Sequence, residues 1–107
     1  MDEPLVYIKI SETQGEKVIA ICDQELLGLK IVDKELNIVF YVSEHFYGGE
    51  LVPVSYAMSK AKEATILNLV GENTVSAAIK EGLVHPDAVI RIAGVPHAQA
   101  VQMKMVY

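Results

Sequence analysis

The sequence predicts a single α+β domain over residues 1–107, built as a two-layer sandwich of a largely antiparallel sheet and two main helices. Two observations lead to this prediction. Apolar residues alternate with the period of a strand up to residue 42, and the period becomes helical after residue 53. The predicted order of elements is ββββααββ. With 107 residues, of which 51% are hydrophobic, the chain can build one core.

The first two strands are predicted to form a hairpin. Residues 5–10 alternate apolar and polar side chains, residues 11–16 supply a polar turn with a glycine, and residues 17–22 return. Asp23 is expected to cap a short helical turn that ends at Gly28, because Asp accepts hydrogen bonds from free N–H groups and Gly tolerates the conformation that stops a helix.

Two further strands are predicted at residues 30–33 and 36–42. The second, LNIVFYV, has the pattern of an inner strand, since its apolar residues recur at every other position. Val39 and Tyr41 make its other face apolar as well. We therefore expect that face to be covered by another part of the chain or, as the alternative, to form a homodimer contact.

The pattern after Pro53 is helical. A first helix is predicted over residues 53–71 and a second over residues 72–81, with Gly71 and Gly82 directly after their C-terminal ends. Two predicted strands complete the chain, at residues 89–92 and 100–106.

The composition excludes several classes of protein. The formal net charge is −5 and Arg91 is the single arginine, which argues against a partner that is bare nucleic acid. Cys22 is the single cysteine, so no disulfide and no paired-cysteine metal motif is predicted. No signal peptide and no apolar run of membrane-spanning length is visible, which favours a cytoplasmic protein without a membrane contact. No phosphate-binding or dinucleotide motif is present, and no cofactor is predicted.

The first candidate binding site follows the predicted inner strand. Paired glycines can present backbone N–H groups to a ligand, aromatic rings offer a stacking surface, and a carboxylate adds charge. The structural alternative is that the glycines carry the chain through positive φ while the aromatic rings pack as a lid. The residues of this stretch are His45, Phe46, Tyr47, Gly48, Gly49 and Glu50.

The second candidate binding site is the stretch GVPHAQ, which contains Pro96, His97 and Gln99. A cis peptide before Pro96 would aim the imidazole at one fixed point. His97 could then serve as a general base or a metal ligand. The alternative is a turn residue whose ring is hydrogen-bonded to the backbone.

Three other polar residues have competing interpretations. Cys22 could be a nucleophile, or a metal ligand together with His45 and His97, but its place at the end of an apolar strand favours a buried small hydrophobe. The spacing of these residues matches no metal motif, and no metal site is predicted. Asp23 and Asn68 are interpreted as structural polar residues. For Asn68 the reason is that a side-chain amide inside the apolar stretch ILNLVG must find hydrogen-bond partners.

Four strings in this order resemble the archaeal family of domain of unknown function 424: CDQELLG at 22–28, HFYGGEL at 45–51, ATILNLVGE at 64–72 and IRIAGVPHAQ at 90–99. The likeness runs from about Tyr7 to Met103. It implies an archaeal cytoplasmic protein with an α+β fold, often found as a stand-alone domain. It implies no activity, so it assigns no catalytic residue.

The leading functional hypothesis is a non-enzymatic binding module with a protein or ribonucleoprotein partner, and the translation machinery is a candidate setting for it. It is based on the lack of a recognisable catalytic set and on glycine loops flanked by aromatic residues. Its predicted contact edge consists of Phe46, Tyr47 and His97.

The alternative hypothesis is a small enzyme. His45 or His97 would act as general acid and base, oriented by Glu50 or Asp23. This hypothesis requires the loops at 45–50 and 94–99 to meet in one pocket.

Overall fold

The computed structural model of the protein describes residues 2–102, which form a six-stranded sheet, a two-stranded sheet and three helices. Single turns of 3-10 helix occupy Gln24–Leu26 and Pro86–Ala88. The strands are β1 (Leu5–Thr13), β2 (Glu16–Asp23), β3 (Lys30–Asp33), β4 (Ile38–Tyr41), β5 (Glu50–Pro53), β6 (Ile66–Val70), β7 (Ile90–Ile92) and β8 (Val95–Val101). The helices are α1 (Glu44–Tyr47), α2 (Val54–Ala61) and α3 (Glu72–Lys80).

The main sheet has the strand order β5-β1-β2-β6-β8-β7. The pair β2–β6 is parallel, and the other four pairs are antiparallel. Strands β3 and β4 pair with each other in the small sheet. The predicted α+β class and the largely antiparallel sheet are therefore confirmed, as is the hairpin of β1 and β2.

Helices α2 and α3 cover one face of the main sheet. Their small side chains, among them Ala57, Ala61 and Ala78, are fully buried against strand residues such as Ile19 and Leu67. Alanine at these contacts lets the helices lie close to the sheet, and this layer forms the larger of the two cores.

The opposite face of the sheet is partly covered by α1 and the β3–β4 hairpin. Here Cys22 and Val70 of the sheet pack beneath Ile31, Val42 and Tyr47 in a second core. The predicted two-layer sandwich is thus extended by a partial layer on this face.

The predicted helix over residues 53–71 is wrong in its second half. Helix α2 ends at Ala61, and residues 66–70 form β6, which lies between β2 and β8. A short apolar run fits either a buried helix turn or a central strand covered on both faces, and periodicity does not distinguish them. The order ββββααββ is therefore wrong after β4, because α1 and β5 precede α2 and because β6 separates α2 from α3. Gly71 precedes α3 instead of ending a helix.

Residues 36–42 do not form an inner strand. Their central part is β4 of the small hairpin, and the expectation that the face of Val39 and Tyr41 is covered is wrong, since these side chains are 64% and 53% exposed. The last predicted strand begins earlier, at Val95, and its predicted residues 103–106 lie outside the described part of the chain.

The end of α3 follows the predicted chemistry. Gly82 has φ +74°, its N–H donates to the Ile79 carbonyl at 3.0 Å, and the Leu83 N–H donates to the Ala78 carbonyl at 2.9 Å. These two bonds form the Schellman motif, which satisfies carbonyl groups that a helix end leaves free. Across residues 2–102, no helix has the length and apolar character needed to cross a membrane.

Candidate functional site

Helix α1 presents one aromatic ring of the first candidate site and buries the other. The Ser43 hydroxyl accepts hydrogen bonds from the backbone N–H groups of His45 at 3.1 Å and Phe46 at 3.3 Å, so the helix begins at Glu44. Phe46 is 42% exposed, whereas Tyr47 is 3% exposed. The two rings meet edge to face with centroids 5.0 Å apart, so Tyr47 supports Phe46 from beneath.

The paired glycines allow two close backbone approaches, of Gly49 to β1 and of Gly48 to the first residue of α1. A Cβ on Gly49 would overlap the Ile8 carbonyl, and one on Gly48 would lie 2.5 Å from the Glu44 carbonyl oxygen. Neither glycine has positive φ, so that part of the structural interpretation is wrong. Their N–H groups donate to the carbonyl oxygens of Glu44 and Tyr47 and are therefore engaged within the fold.

The second candidate site lies on strand β8 and is not a loop. The peptide before Pro96 is trans, and the Pro96 carbonyl accepts a hydrogen bond from the Gly71 N–H at 3.0 Å. His97 is half-buried, with its ring edge-on to Phe40 at a centroid distance of 5.0 Å. Burial lowers the pKa of His97 below its ordinary value, so the ring is neutral near pH 7. Gln99, two residues further on the same face, is exposed.

The two candidate stretches line separate concavities. Strands β5 and β8 are four positions apart in the main sheet, which corresponds to roughly 19 Å. Gly49 and Glu50 line a concavity of about 280 Å³, and Val95 and Pro96 line a different one of about 300 Å³. The enzyme hypothesis therefore stays a prediction, without a shared pocket between the two stretches.

Asp23 is buried and holds α3 in place. Its carboxylate accepts hydrogen bonds from the Asn73 N–H at 3.0 Å, the Thr74 N–H at 2.8 Å and the Thr74 hydroxyl at 2.7 Å. It makes no side-chain cap on the 3-10 turn that directly follows it, so the predicted local cap is wrong. Gly71 has φ +114°, and a Cβ there would overlap the Asp23 carboxylate. Asp23 thus makes its side-chain hydrogen bonds at the start of α3 and not at the turn that directly follows it.

The remaining predicted residues lie in the sheet. Cys22 is fully buried, and burial, together with the nearby carboxylates of Asp23 and Glu25, raises the pKa of its thiol to about 12. Asn68 is half-buried on β6, between Ala20 of β2 and Gln99 of β8 in the sheet register. Among residues 2–102, no three His, Cys, Asp or Glu side chains come together in a way that could hold a metal ion.

An apolar surface on the small hairpin is the feature that the predicted site did not include. Val32, Val39 and Tyr41 point outward and are 51%, 64% and 53% exposed. Val32 and Val39 are direct cross-strand partners, and Tyr41 is paired with Lys30. We call Val32, Val39 and Tyr41 the hairpin surface. The apolar second face at Val39 and Tyr41 was the sequence signal for it, but the sequence did not show whether that face was open.

Together these features define a small α+β domain with a mixed six-stranded sheet, helices on one face and an exposed apolar hairpin on the other. The chain belongs to the family described as protein of unknown function (DUF424), whose model matches residues 11–103. This confirms the resemblance seen in the four sequence strings.

A crystal structure of an uncharacterized conserved protein from Methanopyrus kandleri is similar to this chain. The two are 28% identical, the match covers 96% of this chain and 97% of that one, and the TM-score is 0.80. No curated protein matches the chain.

Proposed function

We propose that this chain is a non-enzymatic binding module that holds a protein partner at the hairpin surface. The observation behind the proposal is that Val32, Val39 and Tyr41 are each more than half exposed although they share one side of a two-stranded sheet. The larger contiguous apolar patches on a folded domain are often functional. Phe46, exposed on α1, is a further apolar side chain on the segment that follows β4.

The inner side of the hairpin is anchored, which supports a preformed contact surface. Phe40 packs on His97, and the Asp33 carboxylate accepts the Ala93 N–H at 2.6 Å and the Leu36 N–H at 2.9 Å. These two N–H groups lower the pKa of Asp33. A surface held in place before binding loses less conformational entropy on association.

The charge of the chain favours a protein over bare nucleic acid. A net charge of −5 repels a phosphate backbone, and the hairpin surface itself is apolar. A ribonucleoprotein, including one of the translation machinery, fits the proposal when its protein component makes the contact.

Affinity capture with matched variants tests the proposal. Wild type, Val39→Glu and Val101→Glu serve as baits in lysate of the source organism, with and without ribonuclease, and captured proteins are quantified by mass spectrometry. Val101 is a suitable control because it is also a strand valine and is 68% exposed. Both changes are at exposed sites, so each should alter the free energy of unfolding by less than about 0.5 kcal/mol.

We expect at least one protein that Val101→Glu retains and Val39→Glu loses, in both the treated and untreated lysate. Equal capture by wild type and Val39→Glu would overturn the proposal. Capture that disappears with ribonuclease and is insensitive to Val39→Glu would equally count against it, because the contact would then depend on RNA and not on the hairpin surface.

A further inference from the structure

The hydrogen-bond pattern of the hairpin shows which backbone groups of β4 point outward. The Val42 N–H donates to the Leu29 carbonyl at 2.9 Å, which in antiparallel geometry makes Lys30 and Tyr41 a non-hydrogen-bonded pair. The alternation then makes Val32 and Val39 a second such pair. The N–H and C=O groups of Val39 and Tyr41 therefore point away from β3, toward the outer edge of β4.

This edge is open within the described chain. The small sheet contains β3 and β4 alone, and no backbone bond between residues 2 and 102 outside the strand ladder involves Val39 or Tyr41. Natural proteins usually protect a sheet edge with charge, proline or a covering segment. The outer strand β5 contains Glu50 and Pro53, and β7 contains Arg91, whereas β4, with the sequence IVFY, has neither charge nor proline.

We propose that β4 receives an extended segment of the partner protein as an added strand, with apolar side chains at alternate positions of that segment. Its backbone would pair with the outward groups of Val39 and Tyr41, as in other cases of strand addition to a sheet edge. Its side chains opposite these residues would continue the hairpin surface. The inference rests on the proposed function and specifies the partner's conformation and chemistry.

A partner segment fits this edge better than a second copy of the chain. The hairpin surface exposes on the order of 300 Å², against about 800 Å² that each partner buries in a standard interface. Two copies would also bring together two chains of net charge −5. A short apolar strand adds backbone hydrogen bonds without needing the larger area.

The binding experiment uses defined peptides. Random 12-residue peptides displayed on phage are selected on the full chain, and one selected peptide is synthesised with a fluorescent label for anisotropy titration. We expect alternating apolar residues in the selected set. Val39→Pro should weaken binding at least tenfold, because it removes the outward N–H, whereas Val39→Ile, which keeps that donor, should change affinity less than threefold.

Proline at this position removes an N–H that has no partner in the free fold, so Val39→Pro should keep the amide spectrum of a folded chain. Amide hydrogen exchange provides a second readout that does not depend on a variant. In the free chain, the amides of Val39 and Tyr41 should exchange fast and that of Phe40 slowly. With the peptide bound, all three should be protected.

Several results would overturn the inference. Selected peptides that bind without protecting Val39 and Tyr41 would leave the binding module intact but exclude strand addition. Protection that appears without peptide as the chain concentration rises would assign the edge to a second copy. Protection already present in the dilute free chain would show that the edge is occupied. The inference would also be overturned if no selected peptide bound the Val39→Glu variant more weakly than the wild type. The proposed function is judged separately, by the lysate capture.

Discussion

Removal of the Asp23 carboxylate should destabilise the fold more than removal of a comparable surface carboxylate. Asp23 is 3% exposed and joins the end of β2 to the first turn of α3, fifty residues later in the chain. Substitution Asp23→Ala leaves the buried N–H and hydroxyl of Thr74 without their acceptor. The Asn73 N–H loses its acceptor too, but Asn73 is exposed and water can replace that bond.

The magnitude follows from these three bonds. Each buried donor left without a partner costs about 1–3 kcal/mol, and the loss of a helix N-cap costs about 0.5–2 kcal/mol. Because the terms overlap at Thr74, we expect Asp23→Ala to lower the free energy of unfolding by about 3 kcal/mol. Asp23→Asn keeps one acceptor oxygen and should cost about half as much.

Urea denaturation followed by circular dichroism measures the effect. At a slope of about 1.5 kcal/mol per molar urea, Asp23→Ala should lower the midpoint by roughly 2 M with the slope unchanged. The control is Asp33→Ala, which also removes a carboxylate that accepts two backbone N–H groups, but at an exposed site, and should cost less. A loss below about 1 kcal/mol for Asp23→Ala, or a loss no larger than that of Asp33→Ala, would refute the reasoning.

Three further predictions concern single residues. Gly49→Ala should lower the free energy of unfolding by more than about 2 kcal/mol in urea denaturation, because the added Cβ would overlap the Ile8 carbonyl. Gly82→Ala should lower it by about 1 kcal/mol, because Gly82 has φ +74° but open space around it. Equal losses would contradict the close approach of Gly49 to β1. The folded-state pKa of His97 is lowered from 6.5, so the contribution of its neutral ring to the free energy of unfolding is present above pH 6.5 and is lost as the pH falls toward the folded pKa. The difference in the free energy of unfolding between wild type and His97→Gln should therefore shrink over that pH range. A difference that stays constant with pH would contradict this prediction. The Cys22 thiol, with its pKa raised to about 12, should react with Ellman's reagent at pH 8 only in denaturant, and rapid reaction of the folded chain would show that the thiol is accessible.

Asp23 and Gly49 show where sequence reasoning about the site reached its limit. An aspartate before a helical turn predicts a local cap, but the parallel pairing of β2 with β6 places this carboxylate at the start of α3 instead. Paired glycines predict positive φ, whereas Gly49 is needed here because it lies against the backbone of β1. Both roles depend on neighbours that are distant in the chain.

The candidate binding stretches were only partly described by their sequence. Tyr47 lies in the second core and His97 contacts Phe40 of that core, so each ring packs against another ring instead of being fully presented to a partner. Val32, Val39 and Tyr41 of the hairpin are exposed together on one side, where a pattern that is apolar on both sides predicted burial on both sides. Local pattern does not reveal which side of a strand has a covering layer.

The sequence by itself determined the α+β class, the β1–β2 hairpin, helix α3 with its Gly82 end and the family, because these follow from local periodicity, turn chemistry and characteristic strings. Only the tertiary structure decided that ILNLV is a central strand, that Asp23 caps a helix fifty residues away and that the edge of β4 is open. Each of these depends on which segments become neighbours in space, and a short apolar run or a single carboxylate is compatible with several arrangements until the sheet order is set.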